Sequence, residues 1–180
     1  KSLLIISVGC LVLVCLDGFY QYLVGFNFLG FQMHGVDRLT SFFGKEPILG
    51  RYIAYLSIFA FALIYQNYEK TKKMIVISVI FLVMCEIIVF LTGERSPFLH
   101  ISLFTILTVI YIPKFRKYRI MGVFITIISL IAILQINPTA KVRMIEYTVD
   151  QMSETQLPFL PYSRSHEEHY ISALKMFKNY

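Results

Sequence analysis

The sequence predicts an all-α membrane protein, a polytopic transmembrane helical bundle of about five spanning helices with smaller helices and loops on its outer face. Three observations carry that expectation. Apolar residues make up 57% of the 180 and charged residues only 16%, against roughly 45–50% and about 25% in an ordinary soluble domain. The apolar residues gather into five runs, several close to the roughly 20 residues that a spanning helix needs. The basic residues between the runs fall in a pattern that gives one topology. A soluble enzyme, a disordered tail and a disulfide-stapled secreted domain are all excluded by the same numbers.

The first run covers residues 2–16. No small-residue cleavage site follows it, because Asp17, Gly18, Phe19 and Tyr20 come next, so it is not read as a signal peptide. The chain opens at Lys1, and a helical pattern is still under way at Tyr180, which suggests part of a longer protein. The second run is 48–65, the third 74–92, the fourth 98–112 and the fifth 120–136. Between the second and third lie Lys70, Lys72 and Lys73; between the fourth and fifth lie Lys114, Arg116, Lys117 and Arg119. Two short basic loops face the cytoplasm. Alternation then places residues 17–49, 93–97 and 137–180 outside, with Lys1 inside.

Residues 1–136 are therefore the transmembrane bundle. Within them, residues 17–50 are rich in Gly and aromatics and poor in charge, as suits an interfacial or re-entrant loop over the bundle mouth. Residues 137–180 are polar and form a separate outer segment. From Ser165 on, Tyr170, Ala173, Leu174 and Phe177 recur at helical spacing. Ser165 is the expected N-cap, with Glu168 completing a capping box.

The net charge of +6 belongs to the membrane loops and does not indicate nucleic acid. Cys10, Cys15 and Cys85 lie in apolar runs and read as small buried hydrophobes. No phosphate loop, dinucleotide fingerprint, zinc-protease or nucleophile-elbow motif is present. His166 and His169 are three apart but have no further Cys or His beside them, so no metal site is expected.

Arginine placement carries more information. Arg38, Arg51, Arg95, Arg143 and Arg164 all fall in outer segments or at their edges, against the usual inside bias. Arginines converging on one mouth suit an anionic substrate, because the planar guanidinium binds phosphate bidentately and keeps its proton. Glu86 lies within the third span, where an ionisable group is costly and usually faces the bundle interior; either it pairs with an outer arginine or it snorkels or is protonated. Asp17 is expected at the outer end of the first span.

The runs DGFYQYLVGFNFLG and DRLTSFFGKEPILGRYIA resemble the outer loop of the O-antigen ligase and O-antigen polymerase family. GERSPFL, with Arg95, resembles the short Ser/Arg turn that opens a later helix of that family, and SRSHEEHYISALKMFKNY resembles the start of its large periplasmic loop. The resemblance covers most of the chain in matching order. It implies a GT-C-like bundle in the bacterial inner membrane, with its active face periplasmic. It also implies transfer of a glycan from an undecaprenyl pyrophosphate carrier to lipid A core (ligase) or to another carrier-linked repeat unit (polymerase), without metal or other cofactor. Arg38, Arg95 and Arg164 then become pyrophosphate contacts. Arg164 or His166 fills the place where the family has an Arg at the start of the loop helix, and a general-base His motif is expected beyond Tyr180.

The expected catalytic residues are Arg95, Arg164 and His166, and the expected substrate-binding residues are Arg38, Arg51, Arg143 and Glu86. The partners are the carrier-linked glycan, its acceptor and membrane lipid. A transporter or flippase of lipid-linked sugars, or a non-catalytic scaffold, are the alternatives.

Overall fold

In a computed structural model of the chain, the described residues are 2–35, 37–67, 71–153 and 164–178. Two compact units form, Lys1–Ala140 and Lys141–Tyr180. Every regular element among the described residues is helical; strand-like pairing is limited to two isolated bridges, Phe26 with Gln32 and His34 with Arg38.

The first unit holds α1 (Ser2–Val24), α2 (Leu49–Asn67), α3 (Lys72–Leu91), α4 (Arg95–Tyr111) and α5 (Pro113–Ile136). All but α4 are long and apolar enough to cross a membrane; α4, apolar and 17 residues long, is shorter. The chain is thus an all-α bundle with the character of a membrane protein. Its central element is α3, which packs against α1, α2, α4 and α5.

Local chemistry sets the helix ends. The Thr71 hydroxyl accepts from the Met74 N–H at 3.4 Å and caps α3. Gly93, at φ 71, takes the left-handed conformation that ends it. Pro113 occupies the first turn of α5, where its missing N–H costs nothing.

Polarity runs inside-out. On α5 the buried residues are Phe115, Arg119, Gly122 and Thr126, spaced four, three and four along one face. Ile120, Phe124, Ile125 and Ile128 are exposed. On α4 the buried set includes Thr105 and Thr108, while Leu99, Leu103, Ile106 and Ile110 are exposed. In water this arrangement would leave the apolar side chains solvated and the hydroxyls hidden. In lipid it is the favourable one, since outward apolar groups meet acyl chains and small or polar groups join the helices.

Several expectations are corrected. The first helix does not stop at residue 16 but runs to Val24, so Asp17 lies inside it and is fully buried. The basic stretch expected as a cytoplasmic loop between the fourth and fifth runs is the opening of α5, with only Ile112 between α4 and α5. Cys10 is exposed, whereas Cys15 and Cys85 are buried.

In the second unit, a four-residue turn Pro138–Lys141 begins just ahead of the boundary. It is followed by a π-helical stretch Val142–Glu146, then α7 (Tyr147–Ser153) and α8 (Arg164–Lys178), the Pro138–Lys141 turn being α6. Lys141 and Glu146 form an exposed ion pair at 3.8 Å. The last helix begins at Arg164, one residue before the expected cap Ser165. Tyr170, Leu174 and Phe177 are exposed along it.

Two glycines set close helix contacts. A Cβ at Gly122 would come within 2.7 Å of Val79 Cγ1 on α3, so α5 reaches α3 only because that position has no side chain. At Gly50 a Cβ would meet Thr92 Oγ1 at 2.6 Å, which fixes the start of α2 against the α3–α4 turn. Gly122→Val should therefore cost about 1–3 kcal/mol, as overpacking does. Thermal unfolding in detergent checks this, and Val79→Ala in the same chain should recover part of the loss.

Candidate functional site

Two clusters of ionisable side chains stand out in the first unit, one within the helices and one at an end.

The inner cluster is built on the Glu86 carboxylate of α3. Its Oε1 accepts from Arg119 Nη2 of α5 and from the Thr105 hydroxyl of α4, and its Oε2 accepts from the Thr126 hydroxyl of α5 at 2.7 Å. Thr105 is also within reach of the Ile101 carbonyl at 2.9 Å. Three helices thus converge on one acidic group. Arg119 and Glu86 are almost wholly buried, at 1% and 4% exposure. Neither charge is tolerable alone in hydrocarbon: insertion scales put a lone charged side chain at a helix centre at about 2.5–3.5 kcal/mol. Pairing, with hydroxyls on the remaining lone pairs, removes most of that penalty. Among the described residues, Arg119 Nε and Nη1 have no acceptor, so the guanidinium is held by one of its three nitrogens.

The end cluster surrounds Glu94, between α3 and α4. Glu94 Oε1 accepts from the Gly50 N–H at 2.7 Å, and Oε2 lies 3.4 Å from Arg51 Nε. Arg95 follows directly and is half-buried. One turn after Arg51 on α2, the Tyr55 hydroxyl lies 3.4 Å from His100 Nδ1 of α4, with ring centroids 5.6 Å apart. The Arg51 side chain is 58% exposed, so the ion pair itself adds little stability. What it does is orient: one carboxylate ties the α2 N-terminus and Arg51 to the turn that carries Arg95.

Of the residues expected at a site, Arg51 is paired with Glu94, and Arg95 follows Glu94 in the chain and opens α4. Arg38 lies on the loop between α1 and α2, half-buried, its backbone paired with His34 at 2.9 and 3.1 Å. Arg143, half-buried, is in the π-helical stretch of the second unit. Arg164 and His166 are in the first turn of α8, and their side chains lie outside the described residues. Glu86 pairs with Arg119 from the stretch expected as a loop, and not with an outer arginine.

Sequence reasoning missed Arg119, Thr105, Thr126, Tyr55 and His100. The signal for Arg119 was available: it shares a helix face with Phe115, Gly122 and Thr126, and Glu86 required a countercharge. Comparison with family models, with curated proteins and with solved structures gives no match.

Removing one member of the inner pair leaves an uncompensated buried charge. Glu86→Ala or Arg119→Ala should each destabilise the bundle by about 3–5 kcal/mol. The double variant Glu86→Leu/Arg119→Met, which removes both charges at similar volume, should be closer to the parent than either single change. Denaturation in mixed micelles measures all three.

Proposed function

We propose that this chain is the part of a multi-pass glycosyltransferase that receives a glycan on an undecaprenyl pyrophosphate carrier, in the bacterial inner membrane, and passes it to an acceptor at the periplasmic face. The single observation that carries the reading is the Arg51–Glu94 ion pair at one end of an inside-out helical bundle, beside the start of α4 that carries Arg95. The order of motifs that resemble the O-antigen ligase and polymerase family supports it.

The chemistry suits those residues. Breaking the glycosyl C–O bond builds negative charge on the pyrophosphate leaving group. Fixed guanidinium groups beside its oxygens stabilise that charge as it develops. Glu94 keeps Arg51 oriented. Arg38, on the same unit, is proposed as a further anion contact. His100, steadied by Tyr55, is a nearby imidazole able to exchange a proton.

A second reading, transport of a lipid-linked sugar, is favoured by one observation, the Glu86–Arg119 pair within the spans. Intramembrane ionisable residues commonly mark substrate or ion pathways. Arg95→Ala should reduce glycan transfer by about 10²–10³ with insertion unchanged. Arg95→Lys should recover only part of the rate, because an ammonium lacks the bidentate fork. The assay is transfer from carrier-linked glycan in membranes that contain acceptor. Near-normal transfer by both variants sinks the catalytic role of Arg95. Flux of carrier-linked glycan across sealed vesicles without acceptor would favour transport.

A further inference from the structure

The loop between α1 and α2 folds back along α1 instead of leaving the bundle. Residues 26–32 form a tight hairpin, bridged between Phe26 and Gln32 and turned at Gly30 (φ 85). The Phe28 N–H donates to Asp17 Oδ1 at 2.8 Å. Asp17 is seven residues before the end of α1, so the tip returns about 10 Å down the helix.

Two features of the tip point to lipid. The first is its surface. Phe28 and Leu29 are 61% and 65% exposed, and Phe28 stacks on Tyr20 at 4.5 Å. Tyr20 continues the outward stripe of α1 formed by Leu13, Leu16 and Leu23, spaced three, four and three, so the tip extends a surface that already faces acyl chains. No Asp, Glu, Lys or Arg occurs between Asp17 and Asp37.

The second is its backbone. The N–H groups of Asn27, Phe28, Leu29, Gly30 and Phe31 all have acceptors: the Phe31 carbonyl, Asp17, the Asn27 side chain, the Asn27 carbonyl and the Asn27 side chain again. The Phe31 carbonyl also accepts from Gln21 Nε2 at 3.2 Å. Water-facing turns leave amides to solvent. Internal pairing of these N–H groups lowers the cost of holding the turn close to the apolar boundary.

We propose that residues 26–31 are an interfacial wedge beside α1, whose Phe28 and Leu29 side chains dip into the acyl region of one leaflet while the tip backbone stays at the headgroup boundary. The wedge holds the loop that carries Arg38 at a fixed depth. It stands independently of the glycosyltransferase reading.

The chain has no Trp, so Phe28→Trp gives a single reporter in the full chain. The host is phosphatidylcholine–phosphatidylglycerol vesicles with lipids brominated near the headgroup or near the chain end. Immersion predicts blue-shifted emission, loss of most intensity with shallow bromines, a smaller loss with deep ones, and protection from acrylamide. Leu29→Trp, at a position with no ring contact, should give the same pattern if the first variant disturbs the stack on Tyr20. Water-like emission open to acrylamide overturns the proposal. So does protection from both acrylamide and bromines, which would mean that a second copy or another protein surface covers the tip.

Discussion

The bundle depends on a single carboxylate in an apolar setting. Glu86 accepts from α4 and α5 simultaneously, and every other feature of α5 follows from that meeting. The seam Phe115, Arg119, Gly122 and Thr126 faces inward because Arg119 has to reach Glu86. Gly122 is needed because a guanidinium on the preceding turn can be buried only if the helices nearly touch. The isoleucines of α5 then face outward, where lipid accepts them. An apolar pair would pack as stably or better. What the ionic pair adds is register, since a carboxylate with three donors from two helices has few ways to be satisfied.

The same economy governs α1. Asp17 and Gln21 are fully buried within an apolar helix, and both are consumed by the loop that follows. Asp17 Oδ2 accepts from the Ser41 hydroxyl at 2.5 Å. Gln21 Oε1 accepts from the Thr40 and Ser41 N–H groups at 2.9 and 2.8 Å, and Asn27 Nδ2 donates to the Ser41 carbonyl at 2.8 Å. Ser41 itself adopts φ 48, a costly backbone for a residue with a Cβ, and these four bonds hold it there. Buried polar side chains thus perform in the loop what a regular ladder performs elsewhere. They deliver the chain to Leu49, where Glu94 receives Gly50 and Arg51.

The fold class was legible because composition and run length report directly on the solvent a chain is built for. The ends of α1 and α5 were not. Asp17, Gly18 and Gln21 look like a helix exit until the loop that pairs with them is seen. Lys114, Arg116, Lys117 and Arg119 look like a loop because charge density, read locally, cannot separate three cations at a helix opening from one that turns inward. Arg51 and Arg95 were each legible as candidates, because both fall at the edges of segments between apolar runs. The Arg51–Glu94 pair and the neighbouring Tyr55–His100 contact were not, since they join residues more than forty positions apart.

The pairing of Arg119 with Glu86 is the claim on which the arrangement of α3, α4 and α5 rests. Solid-state NMR on the chain in lipid bilayers, with labelled arginine nitrogens and glutamate carboxyl carbons, reads it directly. The account predicts a strong dipolar coupling at hydrogen-bonding distance between Arg119 and Glu86, with guanidinium protons slow to exchange with water. An Arg119 guanidinium that exchanges freely and shows no coupling to Glu86 would contradict it.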